Sequence, residues 1–184
     1  PENQQVILKK MTNQIKPGDV LLYELSLLRK DGSLAHIELS SQCINVQNIP
    51  FILSSARDIT ERKQMEISLL ESEERYRTLF EKNPIETIIV DENGRVSRYN
   101  LAKQKSGSRL PNIGDTMYKD YASNHEIDMY GELMECIQTG DSKDFPELKY
   151  KDQFLRINIS SFPGGAIITS VDITGYKRAE EALR

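Results

Sequence analysis

Tryptophan is absent from this chain of 184 residues, and cysteine and histidine occur only twice each. Cys43 and Cys136 lie far apart without CxxC spacing, a pattern typical of reduced, packed thiols in a cytoplasmic protein. No apolar run approaches the roughly 18 residues that span a bilayer, so we expect no membrane segment. There is no metal-ligand spacing, no Ser/His/Asp set and no Gly-rich nucleotide-binding segment. We therefore predict no metal site and no catalytic residue in this chain.

An excess of positive charge is also missing. The chain has 24 Lys and Arg against 28 Asp and Glu, a net charge of −4. The two signs are interleaved along the chain, so the electrostatic footprint of a nucleic-acid partner is absent. Its length suits two domains of roughly a hundred residues each.

One short sequence occurs twice. ARDITERK begins at Ala56 and SVDITGYKR begins at Ser170, which places Asp58 and Asp172 114 residues apart. In both copies an apolar strand leads into Asp-Ile-Thr and then into a charged helix. The repeat predicts four segments: the end of one unit (1–60), a connecting helix (61–82), a complete unit (83–174) and the start of an exit helix (175–184).

The first segment is predicted to be a helix followed by three antiparallel strands. The helix covers 2–13, and the strands cover 20–29, 34–46 and 51–56. The turns are Lys30-Asp31-Gly32-Ser33 and Asn48-Ile49-Pro50. Roughly 60 residues is a marginal size for an independent domain, so this segment is expected to lack its leading strands.

The connecting helix has a start signal and a thin apolar stripe. The Asp58 carboxylate can accept from the amides of the first turn, and Glu61 is placed to complete a capping box. The stripe consists of Met65, Leu69, Tyr76 and Leu79, interrupted by the polar Arg62 and Ser72. Two interpretations have equal weight: the stripe packs on a second helix in a parallel homodimer, or on the chain's own sheets.

The second unit is predicted to run strand, strand, helices, strand, strand, strand. The strands are 85–90, 95–99, 145–150, 154–161 and 166–173. Asn100 is expected to cap a short helix, and an amphipathic helix is expected over 124–139, ending at Gly140.

Four features of the second unit resemble the PAS domain family. They are the motif from Ile89 to Val96 (IVDENGRV), Asn100, the long helix before Gly140 and the closing strand with its Asp-Ile-Thr. The resemblance covers 73–178 as a whole domain and 1–63 as the back half of another. It implies an α+β fold: a PAS-like five-stranded antiparallel sheet with helices on one face. This domain is preceded by the C-terminal half of another PAS domain and a connecting helix.

The resemblance also implies a cleft between the sheet and the long helix, which is either a filled core or a site for a small-molecule ligand. Its expected lining residues are Ile88, Val90, Tyr130, Leu133, Ile157, Ile159, Thr169 and Val171.

His125, expected to be exposed near the start of the long helix, invites comparison with a kinase phosphoacceptor motif, but the match ends after His-Glu-Ile. Haem-binding relatives carry their His nearer the end of that helix, and flavin-photoactive relatives carry an Asn-Cys-Arg-Phe run that is missing here. We therefore expect no cofactor, with haem and flavin as the alternatives, which an absorbance scan would exclude.

In function, the resemblance implies a sensory and dimerising module, most often found in a sensor histidine kinase. The expected partners are a second copy of the chain and a downstream kinase domain. The alternative effectors are a cyclic-dinucleotide synthase and a transcription regulator. Asp58, Thr60, Asp172 and Thr174 are the expected signal-transmission residues, because a helix held to the end of a strand must move with that strand.

Overall fold

The computed structural model describes residues 19–183 of the chain. The described residues form two compact units, which divide between Glu73 and Glu74, within one long helix. The helix predicted over 2–13 lies outside the described residues.

The first unit contains a three-stranded antiparallel sheet in the order β1-β2-β3. The strands are β1 (Val20–Leu28), β2 (Leu34–Val46) and β3 (Ile49–Asp58). The Asp-Gly turn between β1 and β2 forms as predicted, because Gly32 adopts a φ of +84° and donates its amide to Arg29. Side chains alternate in exposure along β1, as expected for a sheet with one covered face.

The turn between β2 and β3 lies earlier in the chain than predicted. Its left-handed residues are Gln47 (φ 52°) and Asn48 (φ 63°). Ile49 and Pro50 already belong to β3, where Pro50 pairs with Asn45. Proline is tolerated there because, among the described residues, β3 lies at the edge of its sheet.

The connecting helix α1 (Thr60–Lys82) leaves the end of β3. Within the first unit, Arg62 and Lys63 form ion pairs with Glu24 of β1. Within the second unit, Phe80 is the buried residue of the helix, and the Arg98 guanidinium lies 4.9 Å from the centre of its ring.

The second unit contains a five-stranded antiparallel sheet in the order β5-β4-β8-β7-β6. Its strands are β4 (Glu86–Asp91), β5 (Val96–Tyr99), β6 (Lys143–Tyr150), β7 (Gln153–Phe162) and β8 (Gly165–Asp172). Its helices are α2 (Leu101–Lys105), α3 (Met129–Thr139) and α4 (Thr174–Ala182). The predicted element order is therefore confirmed, with helices inserted between the second and third strands.

The long helix begins five residues later than predicted. The Asp128 carboxylate accepts from the Gly131 amide and caps α3, which starts at Met129. The helix ends at Gly140, which has a left-handed φ of 86°, as the sequence predicted. Asn124 and His125 therefore precede the helix.

Asn100 holds the beginning of this domain together. Its buried side chain accepts from the amides of Thr87 and Lys103, and it donates to the carbonyls of Asn83 and Ile85. The predicted cap of α2 is thus confirmed, and the same amide also bonds to β4 and to the segment that precedes it.

Candidate functional site

The junction between β8 and α4 is tied to the neighbouring strand β7. Thr174 Oγ1 accepts from the Phe154 amide at 2.8 Å, and the Ile173 amide donates to the Phe154 carbonyl at 2.8 Å. Asp172 Oδ1 accepts from the Thr174 amide at 2.8 Å. Three hydrogen bonds therefore position the first residue of α4 relative to the sheet.

The junction between β3 and α1 has the same contacts. Thr60 Oγ1 accepts from the His36 amide at 2.9 Å, and the Ile59 amide donates to the His36 carbonyl at 2.8 Å. Asp58 Oδ1 accepts from the Thr60 amide at 2.9 Å. The repeated Asp-Ile-Thr is thus a repeated structure, in which Thr60 and Thr174 have the same role.

Donors at each junction stabilise the ionised aspartate. The pKa of Asp58 is lowered by the hydroxyl and then the amide of Thr60, and the pKa of Asp172 is lowered in the same way by Thr174. Asp58 does accept from a first-turn amide, as expected. It is nevertheless the last residue of β3, so α1 begins one residue later than the capping-box pattern indicated.

The predicted cleft between the sheet and α3 is filled by apolar side chains. Leu133 of α3 and Ile159 of β7 are fully buried, and Val90 of β4 packs in the same cluster. Ile88 and Ile157 belong to it too. Tyr130 lies at its edge, where the Lys119 ammonium stands 3.7 Å from the centre of the phenol ring.

Thr169 and Val171 do not line this cleft, and their predicted placement is wrong. In the sheet, Thr169 pairs with Thr87 and Asn158, whereas its neighbour Ile168 pairs with Ile88 and Ile159. Paired residues share a face and successive residues alternate, so Thr169 and Val171 point away from α3. The β8 residues on the α3 face are Ala166 and Ile168, both buried.

Sequence reasoning missed a polar cluster beside the core. The Tyr118 hydroxyl and His125 Nδ1 are buried and have no hydrogen-bond partner among the described residues. His125 was expected to be exposed on the long helix, and this placement is wrong. The signal that could have corrected it is Asp128, a good N-cap residue three positions before Gly131.

The apolar stripe of α1 is exposed. The exposed fractions are 62% for Met65, 61% for Leu69, 54% for Tyr76 and 67% for Leu79. These four side chains therefore remain available for contact, and the described part of the chain does not bury them.

Both thiols are buried and unpaired. Cys136 packs on the inner side of α3, as predicted, and burial raises the pKa of its thiol. Across residues 19–183, no group of His, Cys, Asp and Glu side chains could hold a metal ion. The helices in this same range are too short or too polar to cross a bilayer.

The second unit has the α+β architecture that the resemblance predicted. Five antiparallel strands form one sheet, helices are inserted between the second and third strands, and α3 packs on one face. The fold class expected from the resemblance is confirmed.

The chain is similar to a curated protein and to solved structures. The chain is 33% identical over 113 residues to sporulation kinase E of Bacillus subtilis (strain 168), a match that covers 54% of this chain and 15% of the kinase. No family model matches the chain.

Among solved structures, the chain is similar to the PAS domain of an HTR-like protein from Haloarcula marismortui. The TM-score is 0.42 at 16% identity, over 60% of this chain and 99% of that one. It is also similar to an RNA-binding light-oxygen-voltage receptor, with a TM-score of 0.43 at 7% identity, over 100% of this chain and 86% of that one.

Proposed function

We propose that this chain is a sensory and dimerisation module of a cytoplasmic sensor histidine kinase, and that it passes a signal from its sheet to the exit helix α4. The observation that carries the proposal is the repeated strand-to-helix junction, in which Thr60 and Thr174 accept from the neighbouring strand. A shift of that strand displaces the first turn of the helix, because backbone and side-chain hydrogen bonds connect the two.

The kinase context is supported by the similarity to sporulation kinase E. In this proposal the catalytic and nucleotide-binding steps belong to a downstream kinase domain. The present chain contributes the change in helix position that this domain reads, and it performs no phosphotransfer of its own.

Substitution of Thr174 by Val tests the transmission step. Valine keeps the shape of the side chain but cannot accept from the Phe154 amide, so α4 loses one of its three links to the sheet. A hydrogen bond contributes about 1 kcal/mol, so we expect hydrogen exchange of the first α4 amides to rise about fivefold. Protection in β8 should remain as in the parent protein.

Two variants serve as controls for Thr174→Val. Thr60→Val should increase exchange at the start of α1 and leave α4 unchanged, because it removes the equivalent bond to His36. Thr78→Val, at an exposed position of α1, should change neither helix. Unchanged exchange in α4 of Thr174→Val would contradict the proposal.

The dimerisation part rests on the exposed stripe of α1. Met65 and Leu69 in one half of the helix, and Tyr76 and Leu79 in the other, are each more than half exposed. A narrow apolar stripe on a charged helix is typical of packing against a second helix. We place this contact in a parallel homodimer, because both exit helices must then reach effectors on the same side.

Replacing Leu69 and Leu79 together by Glu tests the dimer. Light scattering should give the mass of a dimer for the parent chain and half that mass for the variant, because charges would face each other across the stripe. The matched control replaces Ile67 and Leu70 by Glu, which adds the same charge on the opposite side of the helix, where both residues are exposed. A parent chain that remains monomeric at high concentration would exclude the dimer.

A further inference from the structure

The ring of His125 lies between two phenols. Its centre is 5.5 Å from that of Tyr118 in an edge-to-face arrangement, and 4.8 Å from that of Tyr150 in a tilted one. The His125 backbone also forms an isolated antiparallel bridge with Tyr150, the last residue of β6. At this point the segment that connects α2 with α3 is attached to the sheet.

Two kinds of unfavourable feature oppose this attachment: buried polar groups without hydrogen bonds and left-handed backbone conformations. His125 Nδ1 and the Tyr118 hydroxyl are both buried without a hydrogen-bond partner among residues 19–183, and such groups destabilise the state that buries them. In the same segment Tyr118 (φ 65°) and Ala122 (φ 55°) adopt left-handed backbone conformations, which are unfavourable for residues with a Cβ. Packing of the three rings therefore holds the segment on the end of β6, although the unpaired polar groups and the left-handed residues oppose this position.

The surroundings of the imidazole offer no counter-charge. The titratable groups that touch the ring are the two phenols, and the Lys151 ammonium lies 5.4 Å from the centre of the Tyr150 ring. Burial is the cause that shifts the pKa of His125, and among the described residues no carboxylate contributes to that shift. The charged residues on the segments that meet here are Lys119, Asp120, Glu126, Asp128, Lys149, Lys151 and Asp152.

Two carboxylates of these segments already accept hydrogen bonds from backbone amides. Asp120 accepts from the Thr116 amide, and Asp128 accepts from the Gly131 amide at the start of α3. Burial lowers the pKa of His125, and burial also raises the pKa of the Tyr118 phenol, which therefore stays protonated. A proton on the imidazole would bring an unpaired charge into this cluster.

We propose that the Tyr118–His125–Tyr150 cluster is a pH-sensitive latch, which holds the segment before α3 on the end of β6 while His125 is neutral and releases it when His125 is protonated. The sign follows from the lowered pKa of His125 in the folded state. The latch is fully closed above the ordinary histidine pKa of 6.5, and it weakens as the pH falls below that value.

Two measurements on the whole chain test the latch. In an NMR titration, we expect the ring protons of His125 to report a pKa below 6.5. In hydrogen exchange corrected for intrinsic rates, protection of amides 117–125 should fall by up to about tenfold per pH unit below that value, until the folded-state pKa is reached. His125→Phe keeps an aromatic ring and removes the titration, so its protection should not depend on pH.

The matched control is the second histidine of the chain. His36 lies in the first unit, where its ring bonds to the Ser26 hydroxyl, so His36→Phe should leave the pH dependence at 117–125 unchanged. A His125 pKa at or above 6.5 would overturn the proposal, and so would a pH dependence that persists in His125→Phe. If His125→Phe fails to fold, the titration of the parent protein decides alone.

Discussion

The strands β3 and β8 lead into the same Asp-Ile-Thr junction but differ in burial. Every residue of β3 is exposed, whereas Gly165, Ala166 and Ile168 of β8 are buried. Within the described residues β3 pairs only with β2, while β8 lies between β4 and β7 and is covered by α3. The junction therefore forms from local contacts with one neighbouring strand, whatever lies on the strand's other edge.

One pair of equivalent positions in β3 and β8 shows how the two strands differ in packing. Gly165 and Phe51 are separated by the same 114 residues as the two aspartates. A Cβ at Gly165 would overlap the Val90 carbonyl of β4, whereas the Phe51 side chain is 50% exposed. Glycine is required where a neighbouring backbone approaches closely, and a large side chain is accepted where none does.

The largest expected effect comes from Gly165→Ala. The added methyl group must displace β4 from β8, so we expect the free energy of unfolding of the second unit to fall by about 3 kcal/mol, as in severe overpacking. Denaturant unfolding followed by circular dichroism would measure it. The first unit should retain its stability, because its equivalent strand has no such contact among the described residues.

Gly175→Ala is the matched control for that substitution. Gly175 lies in α4, and a Cβ there meets no atom within 4 Å. Alanine is about 0.5–1 kcal/mol more favourable than glycine inside a helix, so this variant should be neutral or slightly stabilising. Equal destabilisation by the two substitutions would show that the contact between Gly165 and β4 is not the cause.

A smaller effect is expected from Asn100→Ala. The buried Asn100 side chain makes four hydrogen bonds, and its loss leaves the Thr87 and Lys103 amides without their acceptor. We expect the free energy of unfolding of the second unit to fall by about 2 kcal/mol, from loss of a cap and of buried hydrogen bonds.

Asn45→Ala is the comparison for that variant. Asn45 is an exposed residue of β2, where the same change should alter stability by less than about 0.5 kcal/mol. Thermal unfolding of both variants would distinguish the two sites. A difference of zero between them would contradict the role assigned to Asn100.

Local patterns predicted most of the elements, and two boundaries were misplaced where a local turn or cap residue was overlooked. Asp-Gly in the first hairpin, Asn100 before α2 and Gly140 after α3 were interpreted correctly, because each depends on the conformation of a few neighbouring residues. The turn before β3 and the start of α3 were placed wrongly. The turn was extended to Ile49 and Pro50, which belong to β3, although its left-handed residues are Gln47 and Asn48. The start of α3 followed the apolar pattern without regard to the capping Asp128.

The sequence by itself determined the repeated junction, the order of strands and helices along the second unit and its resemblance to PAS domains, because these depend on residue types at short, regular spacing. Tertiary structure decided which face each strand residue occupies. Thr169 and Val171 are residue types that could line a cleft. The pairing of β8 with β4 and β7 nevertheless turns their side chains away from α3. It also decided the position of His125, whose contacts with Tyr118 and Tyr150 join residues from separate elements. Sheet register and packing between distant segments are set by the whole domain, so no local spacing in the sequence could reveal them.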